Sequence, residues 1–190
     1  MTMSEPLDLQ PHHRRSVRLK DYDYTSVNGY FVTVCTHNRE CLLGEVVDGK
    51  MRLNEYGEIA KDEWLKTASV RPNAVLDAFV IMPNHLHGIV ILAENVGATR
   101  RVALPEVQRN APARRPKGPQ SASLGAIIGQ FKSAVSKRIN QQRGTPGLPI
   151  WQRNYYEHVL REGELEHVRE YIQNNPLQWE MDSENPARHA

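Results

Sequence analysis

Cysteine is scarce: Cys35 and Cys41 are the only two in 190 residues, and no Cys-x-x-Cys pair exists. A disulfide framework is therefore not expected, and reduced thiols in a cytoplasm are the simpler reading. Long apolar runs are missing too. None approaches the roughly 18 residues that a spanning helix needs. The opening stretch MTMSEPLDLQPHHRRSVRLK has no apolar core of the signal-peptide kind. We therefore expect a cytoplasmic protein with no membrane partner. No internal repeat argues for a solenoid. Excess charge is also slight, at +2, too little by itself to imply a polyanionic partner. With 39% hydrophobic residues and a mean hydropathy of −0.59, the chain reads as one soluble domain with polar appendages.

The distribution of charge says more than its sum. His12, His13, Arg14, Arg15, Arg18 and Lys20 cluster near the start, and Arg100, Arg101, Arg109, Arg114, Arg115 and Lys117 share a stretch whose only acid is Glu106. Such blocks are either footprints for nucleic-acid phosphates or solvated arms.

Periodicity divides the chain. Tyr30–Thr36 alternates and is β-branched and aromatic, so it reads as a strand. Asp48-Gly49 between Glu45–Val47 and Met51–Leu53 signals a hairpin. Asn54 can cap a helix over Glu55–Thr67, with Ile59, Ala60 and Leu65 turned inward. Val75–Ile81 and Gly88–Leu92 are continuous apolar strands, covered on at least part of both faces. Residues 94–120 change to Pro, Arg, Ala and Gly without period and read as a mobile insertion. Leu124, Ile127, Ile128, Phe131, Val135 and Ile139 then mark an amphipathic helix. Tyr155–Arg161 forms a last strand, and Glu162–Asn174 a last helix, stopped by Pro176. Apart from the hairpin, the order is β-α-β-β-α-β. It predicts an α+β fold, a ferredoxin-like antiparallel sheet with helices on one face, plus an extra C-terminal helix. The domain spans 24–180, after a basic leader at 1–23 and before a tail at 181–190.

The chemistry concentrates in Met82-Pro83-Asn84-His85-Leu86-His87-Gly88. Side chains alternate along a strand, so His85 and His87 point the same way and Leu86 points into the apolar layer. Two imidazoles side by side are natural metal ligands. In the last helix Tyr171 and Asn175 lie on one face, one turn apart. If that helix crosses the sheet near His87, Asn175 can complete a metal site with Tyr171 over it, an arrangement suited to cleaving a phosphodiester through a tyrosyl phosphate. Tyr155 and Tyr156 are rival nucleophiles, but only Tyr171 has a polar partner one turn on. His158 reads as buried structure or a DNA contact, Trp151 and Trp179 as core or docking residues, and Trp64 as packing.

The histidine pair, the segment Trp151-Gln152-Arg153-Asn154-Tyr155-Tyr156-Glu157-His158-Val159-Leu160-Arg161 and Tyr171-Ile172-x-x-Asn175-Pro176 together resemble the single-tyrosine HUH transposases, most closely the REP-associated tyrosine transposases. The match runs from about Tyr24 to Trp179. It implies a transposase-like endonuclease and strand transferase acting on single-stranded DNA beside hairpins or repeats. Tyr171 would be the nucleophile that forms a 5′-phosphotyrosine, and His85, His87 and Asn175 the ligands of Mg²⁺ or Mn²⁺. Insertion-sequence members usually carry Gln where Asn175 stands, and Asn fits the REP-associated branch. Arg39, Lys132 and Arg161 are candidate DNA contacts, with Lys137 and Arg138 extending the basic surface of the helix. Family members include dimers and monomers, so a homodimer stays open. Two other functions stay open as well: a non-catalytic DNA-hairpin-binding regulator, and a metal-dependent hydrolase that activates water.

Overall fold

The structure is a computed structural model that describes residues 28–93 and 122–188. The leader 1–23, with His12 and His13, and the Pro/Arg-rich stretch 94–120 lie outside the described residues. The elements are β1 (Asn28–Cys35), β2 (Gly44–Val47), β3 (Lys50–Leu53), α1 (Glu55–Val70), β4 (Ala74–Ile81), β5 (His85–Leu92), α2 (Leu124–Arg143), β6 (Tyr156–Val159) and α3 (Glu164–Asn174). Four strands pair in the order β4-β5-β1-β6, every neighbour antiparallel. This is the expected ferredoxin-like α+β sheet, with β2 and β3 apart as a two-stranded hairpin.

Alternation along the central strands explains how both faces are covered. Tyr30, Val32 and Val34 of β1 and Leu86, Val90 and Leu92 of β5 meet Trp64 of α1 and Ile127, Ile128, Phe131 and Val135 of α2. Their neighbours Phe31, Ile89 and Ile91 turn to the opposite face, where Leu165, Val168, Tyr171 and Ile172 of α3 cover them. Burying each large side chain contributes about 1.5–3 kcal/mol. Gly88 occupies the α1 side of β5, and a Cβ there would sit 2.5 Å from Trp64 Cζ2. The strand can therefore pass the indole only as glycine.

Local signals set the ends of these elements. Asn54 Oδ1 accepts the backbone N–H groups of Tyr56 and Gly57 at 2.9 and 3.0 Å, capping α1. α2 stops at Gly144, whose φ of 65° is left-handed. Asp48 and Gly49 both take positive φ, 52° and 69°, the conformation of a tight hairpin turn. Asn73 bridges two connections: its C=O accepts from Ala93 N–H at 2.9 Å and its Nδ2 donates to Ala122 C=O at 3.0 Å.

Some expectations need correcting. Leu65 is 50% exposed, because the buried stripe of α1 runs through Ile59, Ala60, Trp64 and Thr67. A residue next to Trp64 is turned about 100° away from that stripe. β5 begins at His85 and not at Gly88, so both histidines lie within the sheet. The last strand is shorter than expected, at Tyr156–Val159. α3 starts at Glu164 because Gly163, at φ 84°, interrupts the chain before it.

Candidate active site

On β5, His85 stands opposite Cys35 of β1 and His87 opposite Thr33. Both imidazoles face α3, with ring centroids 4.4 Å apart, and both are buried. Asn84 Nδ2 donates to the carbonyls of Arg39 at 3.1 Å and Glu184 at 2.7 Å. Its amide orientation is thereby set, and its Oδ1 accepts from His85 Nδ1–H at 2.9 Å. That bond places the His85 lone pair on Nε2, pointing into the site. His87 Nδ1 lies 2.8 Å from the Thr33 hydroxyl. Burial holds the His87 pKa well below the usual histidine value, and the neighbouring His85 lowers it further. Burial also lowers that of His85, against the opposing pull of the Asp182 and Glu184 carboxylates. Neutral imidazoles are the form that binds metal ions.

α3 brings Tyr171 to the same place. Its ring packs edge-on against Phe31 at 6.0 Å and lies 5.3 Å from the His87 ring. Its hydroxyl is 3.4 Å from His87 Nε2. Burial first, and then the Asp182 and Glu184 carboxylates, push the phenol pKa above the usual tyrosine value. One turn on, Asn175 is buried, and its Oδ1 makes no hydrogen bond among the described residues. Asn175 lies close enough to both His85 and Tyr171 to shift their pKa values, so the structure gathers His85, His87, Tyr171 and Asn175 from one chain.

The seat of α3 depends on a bulge in β4. Between Leu76 and Phe79 the register with β5 slips by one residue, so Asp77 and Ala78 both turn toward α3. Asp77 Oδ1 accepts from Arg169 Nε at 2.8 Å, and its Oδ2 from Arg169 Nη2, a bidentate pairing. The Arg169 bonds hold the Asp77 pKa below the usual carboxylate value. A depressed pKa contributes stability that is fully present above the unfolded value, near 3.9, and fades as pH falls through the folded one. Asp77→Asn is expected to cost about 1 kcal/mol at pH 7, with the gap from wild type closing below about pH 3.9. Urea unfolding across pH measures it, and a gap independent of pH would refute the assignment.

Asp182 also belongs to this cluster, and sequence reasoning placed it in a tail. Nitrogen and oxygen atoms of His85, His87 and Asp182 all lie within 4.8 Å of one another. The available signal was the run Asp182-Ser183-Glu184-Asn185, rich in side chains that form local turns. Asp182 Oδ1 accepts from Glu184 N–H at 2.7 Å in such a turn. The run announces an ordered turn but not the strand it folds back upon.

The proposed DNA contacts are scattered. Arg39 lies beside the cluster, with Nε donating to Glu184 Oε2 at 2.8 Å. Arg161 is exposed in the turn between β6 and α3. Lys132 Nζ is turned to backbone carbonyls, Arg153 at 3.2 Å and Asn154 at 3.4 Å among them, so it ties α2 to the loop before β6. Arg138 is taken up by Glu63 and Asp62 of α1, at 2.7 and 3.4 Å. His158 Nε2 lies 2.9 Å from Glu164 Oε2. Trp179 sits with its ring 6.2 Å from that of His85, while Trp151 joins the α1/α2 core.

Three buried polar atoms have no hydrogen-bond partner here: His85 Nε2, Asn175 Oδ1 and Asp182 Oδ2. Leaving each unpaired costs about 1–3 kcal/mol, so their collection in one place calls for a shared partner. Two imidazole nitrogens with amide and carboxylate oxygens form a donor set that fits a divalent ion.

No family model matches the chain. An uncharacterized protein of Haemophilus influenzae is 42% identical over 172 residues, covering 90% of this chain and 92% of that one. Among solved structures, that of a REP-associated tyrosine transposase bound to a REP hairpin aligns with a TM-score of 0.52 at 20% identity, covering 89% of this chain and 74% of that one. The chain therefore belongs to the same family as the Haemophilus influenzae protein, and its fold is that of the REP-associated tyrosine transposase.

Proposed function

We propose that the chain is a metal-dependent endonuclease and strand transferase acting on single-stranded DNA at hairpin-associated sites through a 5′-phosphotyrosine. The observation that carries this reading is the Tyr171 hydroxyl 3.4 Å from His87 Nε2, with the Asn175 oxygen, which has no hydrogen-bond partner, at the C-cap of the same helix. The REP hairpin held by the structural neighbour supports the choice of DNA.

His85, His87 and Asn175 would hold the Mg²⁺ or Mn²⁺ ion. When bound, it would polarise the phosphodiester and offset charge on its oxygens. Tyr171 Oη attacks phosphorus, the new O–P bond forms, and the bond from phosphorus to the 3′ oxygen breaks. The phenol loses its proton and the departing 3′ oxygen gains one. Because the phosphodiester energy is kept in the tyrosyl ester, a 3′-hydroxyl can reverse the step and rejoin strands. Packing against Phe31 and His87 holds the phenol in place, so little orientation has to be found during reaction.

The test is to incubate the full chain and Mn²⁺ with hairpin-bearing single strands labelled at the 3′ end, then separate the products on a denaturing gel. The expected result is 3′-labelled DNA migrating with protein, plus an upstream fragment with an extendable 3′-hydroxyl. Cleavage without an adduct would identify a hydrolase using activated water. Binding without cleavage would identify a regulatory DNA-binding protein.

A further inference from the structure

Asp182 is 8% exposed, and its two carboxylate oxygens have different fates. Oδ1 accepts the Glu184 N–H. Oδ2 has no hydrogen-bond partner and lies 3.7 Å from His85 Nε2, beyond hydrogen-bonding distance. The nearby guanidinium, Arg39, is directed to Glu184 instead. A buried carboxylate oxygen with no hydrogen bond is unfavourable, yet the segment that carries it is firmly anchored. Glu184 is fastened through its side chain to Arg39 and through its carbonyl to Asn84. Asn185 Nδ2 donates to Trp179 C=O at 2.9 Å. The Asn84 amide that anchors this segment is also the one that orients His85.

We propose that Asp182 is a metal ligand, forming with His85 and His87 a two-histidine, one-carboxylate centre, and that Glu184 positions it. The assignment rests on the metal-binding half of the function proposed above. It adds a charged ligand from beyond the tyrosine helix to the neutral set His85, His87 and Asn175. One ligand atom from each of the three residues lies within 4.8 Å of the others, a spacing and donor set suited to one divalent cation.

Mn²⁺ titration of the full chain, followed by electron paramagnetic resonance or calorimetry, tests it. Asp182→Asn keeps the shape and the acceptor for Glu184 N–H while removing the charge. Its Kd for Mn²⁺ is expected to rise at least about tenfold, and that of Glu184→Gln by about tenfold. Without metal, Asp182→Asn is expected to melt close to the wild-type temperature, because Oδ2 has no hydrogen bond to lose and the Asn oxygen can keep the Glu184 N–H bond. An Mn²⁺ affinity within twofold of wild type overturns the proposal. So does a metal-free variant that melts well below wild type or fails to fold, since the carboxylate would then be a partner of the empty fold. If the wild type forms the phosphotyrosine adduct while Asp182→Asn keeps its Mn²⁺ affinity, only the ligand assignment fails. If the affinity falls but the wild type forms no adduct, the ligand stands and the strand-transfer reading fails.

Discussion

Tyr171→Phe is expected to bind a DNA hairpin within about twofold of the wild type and yet to give no covalent adduct. Removing a covalent nucleophile costs on the order of 10⁶ in rate, which places adduct formation below detection. The substitution is clean because the ring, with its contacts to Phe31 and His87, is kept. Only the hydroxyl is lost, with its contact to His87 Nε2 at 3.4 Å and its interaction with Asn175. The structure also supplies the control. Of the two neighbouring tyrosines, Tyr155 packs against the α1/α2 core, whereas Tyr156 packs on the α3 face, edge-on to Phe31 at 6.3 Å. Tyr156→Phe is expected to retain the adduct. An adduct that survives Tyr171→Phe and disappears with Tyr156→Phe would move the nucleophile to β6.

The largest expected effect on stability is at Trp64. Its indole is fully buried, packs edge-on to Phe131 at 5.2 Å, and fills the space left open by Gly88. Trp64→Ala is expected to cost about 3–5 kcal/mol. Gly88→Ala is expected to cost about 1–3 kcal/mol, because the new methyl group must displace an indole wedged between Phe131 and Phe79. The two changes should not add. In the double variant the methyl group enters the vacated cavity, and the combined cost should fall short of the sum by about 1 kcal/mol or more. Urea unfolding of the four chains measures this, and additivity within about 0.5 kcal/mol would remove the steric explanation for Gly88.

Much of the frame was legible because period alone assigns faces. The alternation in His85-Leu86-His87 predicts that the histidines share a face opposite Leu86, and the structure puts Leu86 in the α1/α2 core. The spacing Tyr171-x-x-x-Asn175 predicts one face of one turn, and both residues turn toward the histidines. What local patterns could not reveal were contacts between distant segments. Lys132 reads as a free cation on a helix surface, but the loop before β6 supplies carbonyl oxygens to it. Asp77 reads as a charge inside an apolar strand, and only the bulge beside it turns it toward Arg169. Asp182 reads as part of a tail past the last helix. Its burial follows from Glu184 reaching back to Arg39 and Asn84, which are 145 and 100 positions away.

The paired bonds at Asn73 bear on the stretch between Ala93 and Ala122. One residue holds the last backbone N–H before that stretch and the first carbonyl after it. Departure and return are thus pinned at a single point, near Leu92, while the histidines occupy the other end of β5. The histidine end of β5 is therefore separated by the length of the strand from the point where the described chain leaves at Ala93 and resumes at Ala122.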